Sequence, residues 1–297
     1  MNPTLILLPD FALILFGYGL RRSAQFDDAF WRGIEKFIYF VLFPPLLFRA
    51  LVKAHLDFVA STPMLLAGLG FTAFGLMLGY IARPYLKLSP ASFASGIQAA
   101  FRFNSYVGFA IIGTLDGQAG IAAIALLFGL MIPLVNIVSV SLLAHHAQGN
   151  ILRELASNPL IGGIIVGLAC NLAGIAPPYW VMHAIGALAD AALPMGLISV
   201  GAGLRFSTWS RHPGVIAYWS GIKLVAVPAC ASLLVSWLDI SAVYRDAALI
   251  MSTLPAATSC YILAVRMGGD GILAASLVTA TTLGGMLSIP LWLAYWY

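Results

Sequence analysis

The chain has 297 residues, 61% of them hydrophobic and 9% charged, with a formal net charge of +4. Soluble globular domains carry about 25% charged residues, so this composition excludes a soluble enzyme or binding module. The basic residues are scattered at loop ends rather than gathered in a patch. That excludes a nucleic-acid surface and assigns them to orienting the chain in a lipid bilayer.

Apolar stretches of roughly 20 residues recur along the whole length, each long enough to cross a hydrocarbon layer of about 30 Å. Ten spans are predicted, at 4–20, 34–53, 62–83, 90–114, 118–144, 158–176, 180–204, 213–237, 243–267 and 270–296. The opening segment MNPTLILLPDFALILFGYGL has no positive charge before its apolar core, and Arg21-Arg22 follow it. It reads as a first span rather than a cleaved signal peptide. Cys170, Cys230 and Cys260 all lie inside apolar runs and far apart, which fits neither a disulfide framework nor a metal site. The longest polar connection, AHHAQGNILRELAS, joins spans five and six, and its His145-His146 pair at a helix end is not read as a metal site.

Charge asymmetry orients the spans. Loops after odd spans hold Arg21, Arg22, Arg32, Lys36, Arg83, Lys87, Arg153, Arg205, Arg211 and Arg266; loops after even spans hold Arg49, Lys53 and Arg245. The odd loops are therefore expected in the cytoplasm and both termini outside, in a multi-pass membrane protein.

Short matches recur at one spacing. Asn2-Pro3 opens span one and Asn158-Pro159 opens span six; FPPLLFRAL in span two matches LPMGLISVG in span seven. LDG at Leu115–Gly117 matches GDG at Gly269–Gly271, and MIPL at Met131–Leu134 matches SIPL at Ser288–Leu291. Each pair is weak alone. Four in order at offsets of about 150 to 157 residues predict two five-span repeats, 1–148 and 149–297. Five is odd, so the second copy is inverted, an architecture of secondary transporters.

Under that offset STLPAATSCY (Ser252–Tyr261) falls on QAAFRFNSYV (Gln98–Val107), both mid-span and both polar. Pro255 removes a backbone donor. Unsatisfied carbonyls in hydrocarbon cost several kcal/mol, and a buried arginine such as Arg102 costs at least about 2.5 kcal/mol. Spans four and nine are therefore expected to be broken near residues 102–106 and 254–258, and to cross near the bilayer midplane. Half-helix N-termini there suit an anion. The bland alternatives are a proline kink and hydroxyls bonded back to their own helix.

These residues resemble the auxin efflux carrier family, whose bacterial members include malonate and malate permease-like proteins. The likeness rests on the ten-span pattern, FPP in span two, RFNSYVGFAI in span four and PAATSCYILA in span nine. In place of a proline often found after the Gly108-Phe109 pair, this chain has Ala110-Ile111-Ile112-Gly113, so Asn104, Ser105 and Gly108 are left to break span four. The resemblance implies an all-α integral membrane fold of ten helices, with a scaffold of spans one, two, six and seven. It also implies a transport unit bearing the crossover helices, homodimers through the scaffold, and small organic anions as substrate.

The predicted anion site comprises Arg102, Asn104, Ser105, Pro255, Thr258, Ser259 and Tyr261. Arg102 either binds the anion or braces the broken helix. Pro44, Pro45, Gly108 and Pro194 are read as helix breaks or gates, the prolines alternatively as plain kinks. Asp190 is either a proton or cation coupling site or an interhelical hydrogen-bond partner. Lys223 is either a charge partner of Asp190 or a side chain that snorkels to a polar edge. Asp10 is expected at the interface or paired; Asn136 and Asn171 are expected to bond between helices.

No HExxH or GxSxG is present and no acidic pair lies inside a predicted span, which leaves a membrane-embedded enzyme without a catalytic constellation. A sodium-coupled carrier of the bile-acid type shares the crossover plan but typically has richer Asn, Gln and Glu clusters. No cofactor is expected, and a coupling ion would be H+ or Na+.

Overall fold

The computed structural model describes residues 3–23, 26–52, 54, 57–143, 159–206 and 212–297. The polar connection between spans five and six, with His145 and His146, lies outside the described residues, as do Asn2, Asn158, Lys53, Arg153 and Arg211. The first part of the chain forms α1 (Pro3–Arg22), α2 (Asp28–Phe37), a π-helical turn (Ile38–Leu42), α3 (Phe43–Val52), α4 (Phe58–Ile81), α5 (Arg83–Leu86), α6 (Pro90–Phe101) and α7 (Ser105–Leu143). After the undescribed connection come α8 (Pro159–Leu172), α9 (Tyr179–Ala202), α10 (Pro213–Gly221), a second π turn (Ile222–Ala226), α11 (Val227–Trp237), α12 (Ala242–Thr253), α13 (Ser259–Arg266) and α14 (Gly271–Trp296). The described residues are almost all helical, with no strand among them.

Among the described residues five stretches are long and apolar enough to cross a membrane: Val59–Ile81, Pro90–Leu143, Tyr179–Ala202, Pro213–Trp237 and Gly271–Trp296. The second of these is three helices end to end, because α7 is itself two helices joined by a kink at Gly117, whose φ of 57° and ψ of −138° only glycine adopts without strain. At 14 residues α8 is apolar but only about 21 Å long.

Both π turns precede prolines, and the cause is the missing donor. Phe43 N–H bonds Ile38 O, and Val227 N–H bonds Ile222 O, five residues back. Pro44, Pro45 and Pro228 cannot donate to the carbonyls four residues before them. The carbonyl stranded by Pro228 is Leu224 O, and the Trp292 indole N–H takes it at 2.9 Å. Pro44 and Pro45 thus widen a turn, and α9 runs through Pro194 without interruption. Neither position is a helix break. A proline removes one bond from a long helix, and flanking turns packed in protein hold the rest.

Two groups of helices pack together. In one, α1 lies along α9 and α3 lies along α8 and α9; in the other, α4 lies along α11 and α12, α7 along α12, and α6 along α14. Each of these contacts joins the first half of the chain to the second. Backbone approach is closest between α1 and α9: a Cβ at Gly201 would stand 1.8 Å from Ile14 O, and one at Gly17 would stand 2.0 Å from Ile198 O. Asn171 closes the end of α3, its amide donating to Leu51 O, Val52 O and Ala54 O at 3.0, 3.2 and 2.9 Å. That is the interhelical role expected of it.

Candidate functional site: two interrupted helices that meet

The chain leaves helix after Phe101 and re-enters at Ser105; it leaves again after Thr253 and re-enters at Ser259. Arg102 and Leu254 are extended, with ψ of 155° and 141°. The two interruptions touch. Asn104 N–H donates to Pro255 O at 2.9 Å, and Ala256 N–H donates to Thr281 Oγ1 at 3.1 Å. Two of the backbone donors freed by unwinding are therefore satisfied, one by the other break and one by α14, as an apolar interior requires. The interruptions fall where predicted, at 102–104 and 254–258. Gly108 is not part of the break; it is helical, and its missing Cβ admits Leu254 and Phe128, both of which a Cβ would meet at 2.8 Å.

Both α7 and α13 begin at this meeting point, so two positive helix ends face it. Asn104 caps α7, its Oδ1 accepting from Tyr106 N–H at 3.1 Å. The other side of the same amide is different. Asn104 is 3% exposed, and its Nδ2 is buried with no hydrogen-bond partner among the described residues. Two N–H donors in an apolar interior with nothing to donate to cost about 1–3 kcal/mol.

Arg102 is 6% exposed. Its guanidinium donates to Gln98 Oε1 at 3.0 Å, Asn136 Oδ1 at 2.9 Å and Ser259 Oγ at 2.9 Å. All three acceptors are neutral. The ion pairs among the described residues are Arg21–Asp28, Arg49–Asp190 and Arg245–Asp246, so Arg102 has no counter-ion there. Asn136 bonds between helices as expected, but to this cation. Gln98 was legible as its neighbour, since positions i and i+4 share a helix face.

Of the predicted site residues, Arg102, Asn104, Pro255 and Ser259 are brought together, and Ser105 and Thr258 adjoin them as the helix starts. Tyr261 turns away; its ring lies 4.8 Å beneath the Arg205 guanidinium. Ser252 and Thr253 bond back to Leu249 O and Ile250 O, the local role open to hydroxyls in any helix.

Asp190 sits elsewhere, and its partner is Arg49 at 2.7 Å, not Lys223. Lys223 does not snorkel: it is 2% exposed and sits in the second π turn. One extra residue in that turn rotates the remainder of the helix by about 100°, which no local periodicity announces. Asp10 is not fully paired either, since its Oδ2 is buried without a partner among the described residues.

A cavity of about 1300 Å³ opens between the two helix groups, lined by Arg49, Asp57, Gln118, His183, Asp190 and Tyr244 among others. A smaller chamber of about 320 Å³ continues from it, sharing Arg49, Gln118 and Asp190 and adding Asp10, Ala110 and Pro194. Below the chamber Phe43 and Tyr106 pack with ring centroids 4.7 Å apart. They lie one helical turn from the lining residues Leu46 and Ala110.

Apolar helices, two of them broken at a common point below an open vestibule, define an integral membrane protein built for transport. Residues 139–293, just over half the chain, match the family model described as membrane transport protein, and the chain belongs to that family, the auxin efflux carriers. A relative from Rhizobium meliloti named "Putative malonate transporter" is 23% identical over 95% of this chain and 94% of its own. A protein of Methanothermobacter thermautotrophicus named "Uncharacterized transporter" is 24% identical over 98% of both chains.

Proposed function

We propose that the protein is a secondary active transporter of small organic anions, mono- or dicarboxylates such as malonate or malate, that alternates access around the meeting point of spans four and nine. The observation that carries this reading is the unpartnered Asn104 Nδ2 beside Arg102, where two helix N-termini converge. A carboxylate there would accept from donors that otherwise lack partners. The vestibule and chamber supply an entry path ending one turn above that point, with the Phe43–Tyr106 contact as the closed gate. In this reading residues 1–148 and 149–297 are inverted five-helix repeats. Two observations support it: contacts between the halves are reciprocal, span one on span seven and span two on span six, and the predicted offset places the two interruptions opposite each other. The chain sits in the bacterial inner membrane with both termini outside and pairs as a homodimer through the scaffold of α1, α3, α8 and α9. The deciding experiment is uptake by purified protein in proteoliposomes, with mono- and dicarboxylates under imposed pH, sodium and voltage gradients. Absence of uptake or exchange for every carboxylate by monodisperse protein overturns the reading.

Arg102 both links the breaks and leaves guanidinium N–H groups for an anion. Lysine keeps the charge but loses the planar fork. Arg102→Lys is expected to weaken apparent substrate affinity at least about tenfold, the ~1.4 kcal/mol of one charge-assisted bond, in protein that still inserts. A fall in thermal stability with unchanged affinity in the folded fraction would make Arg102 a brace only.

The Asp190 side chain is 72% exposed toward the cavity, so its pair with Arg49 contributes at most about 1 kcal/mol. Asp190→Asn should therefore leave melting nearly unchanged. A changed pH or sodium dependence of uptake in that variant would mark Asp190 as the coupling carboxylate; unchanged dependence together with unchanged stability excludes both roles proposed for it.

A further inference from the structure

Asp10 and Arg49 line the same small chamber, and each keeps a buried polar atom without a partner among the described residues: Oδ2 of the carboxylate and Nε of the guanidinium. Arg49 is committed elsewhere, its Nη1 donating to Asp190 Oδ1 at 2.7 Å and to Gly186 O at 3.2 Å. Thr114, also in the lining, donates its hydroxyl to Ala110 O of its own helix at 3.0 Å. The elements packed against α1 carry few titratable groups: Tyr179, His183 and Asp190 on α9, Tyr106 and Asp116 on α7, and Tyr295 on α14, with Arg49 reaching the chamber from α3. Of these only Arg49 and Asp190 line it. The chamber thus holds two carboxylates and one guanidinium, an excess of one negative charge. That excess falls on Asp10, because Asp190 has both a counter-ion and, at 72% exposure, open solvent. A carboxylate oxygen buried without a donor is costly for as long as it is ionised. One proton removes the cost, and the chamber continues into the open vestibule, from which water can deliver it.

We propose that Asp10 is the proton-binding site of the carrier, taking one proton from the vestibule and carrying it inward with the anion. This rests on the reading of the protein as a secondary transporter of organic anions. The step is a single proton transfer: a proton from vestibule water bonds to Oδ2 and neutralises the carboxylate, the same O–H bond breaks on release to water inside, and nothing is oxidised or reduced. Asp10, Arg49 and Asp190 belong to one helix group, Thr114 and Gln118 to the other. Movement of one group past the other therefore changes what faces Asp10, which ties its protonation to the transport cycle.

The test measures malonate accumulation in proteoliposomes at zero membrane voltage, against protein-free vesicles, with the outside acidic, with a sodium gradient at equal pH, or with neither. One proton per anion concentrates malonate up to about tenfold for each pH unit of gradient. Wild type should accumulate malonate under the pH gradient and not under the sodium gradient. Asp10→Asn, a fixed neutral mimic of the protonated acid, should lose accumulation while malonate–malonate exchange becomes independent of pH. Asp10→Glu should restore a pH response. Infrared pH titration of the purified protein without substrate supplies a second readout: wild type should show the carbonyl stretch of a protonated carboxylic acid that vanishes at alkaline pH, and Asp10→Asn should lack that band. The inference is overturned if folded Asp10→Asn, or Asp10→Ser should the asparagine variant not insert, keeps pH-driven accumulation or keeps the band. It is also overturned if wild type accumulates malonate on sodium alone. Absence of all carboxylate transport by wild type brings down the transporter reading and the coupling role with it, and the infrared titration then still decides whether Asp10 takes the proton.

Discussion

Asn104→Leu is expected to abolish measurable anion uptake while leaving the carrier folded. Leucine has the same γ-branched side chain of four heavy atoms as asparagine and removes the two buried N–H groups that have no partner among the described residues. The folded state loses only the cap on α7, where Asn104 Oδ1 accepts from Tyr106 N–H. Such a cap contributes about 1 kcal/mol, partly offset because an orphaned donor pair disappears from an apolar interior. The bound state loses far more. Each hydrogen bond to a charged group is worth about 1.5–3 kcal/mol, so two of them carry a hundredfold or more in affinity. Asn104→Asp sharpens the test, since it keeps the cap and replaces the donors with negative charge. Its uptake should fall at least as far as that of the leucine variant, with melting closer to wild type. Uptake within about twofold of wild type in well-folded Asn104→Leu would remove Asn104 from the site, because two lost charge-assisted bonds cannot cost so little.

Gly201→Val should prevent the protein from accumulating in folded form, and Gly201→Ala should lower its melting temperature steeply. The α1–α9 contact is the reason. A Cβ at Gly201 would come within 1.8 Å of Ile14 O and 2.9 Å of Tyr18 N, which are backbone atoms that cannot rotate away. Relief requires the two helices to separate along their length, taking Gly17 off Ile198 as well. Overpacking usually costs about 1–3 kcal/mol when side chains can adjust; here they cannot, so the alanine variant belongs at or above the top of that range. Gly19→Ala on the same helix as Gly17 is the control. Nothing lies within 4 Å of a Cβ there, and alanine is the better helix former by up to about 1 kcal/mol. Its melting temperature should hold or rise. Equal effects of Gly19→Ala and Gly201→Ala on melting in detergent would refute the account of this interface.

The two expected results draw on information of different kinds. The apolar stretches were legible residue by residue, because crossing a bilayer demands about 20 apolar residues in a row and no other context is needed to see them. The interruptions were legible for the complementary reason. Arg102, Asn104, Pro255 and the hydroxyls around them are conspicuous only against an oily background, and the background is local too. The recurrence of short motifs at one offset then aligned the two interruptions with each other along the sequence before any helix was packed.

What tertiary structure alone decided is which groups meet. Lys223 lies in an apolar run like any snorkelling lysine, yet a π turn one residue out of the usual register, set by Pro228 and held by the Trp292 indole, leaves it inside. Asp190 pairs with Arg49 across 141 residues of sequence, and nothing near either residue names the other. Pro194, conspicuous in sequence, interrupts nothing, because packed neighbours carry the helix past one missing bond. Asn104 looked like one polar residue among several, and only the full set of contacts reveals that half its amide is bonded and half is not. Periodicity and composition are set by neighbours along the chain, and they determined the spans and their weak points. Charge pairing and the satisfaction of each donor are set by neighbours in space, and they alone separate a polar group that bonds within the fold from one left with its donors free.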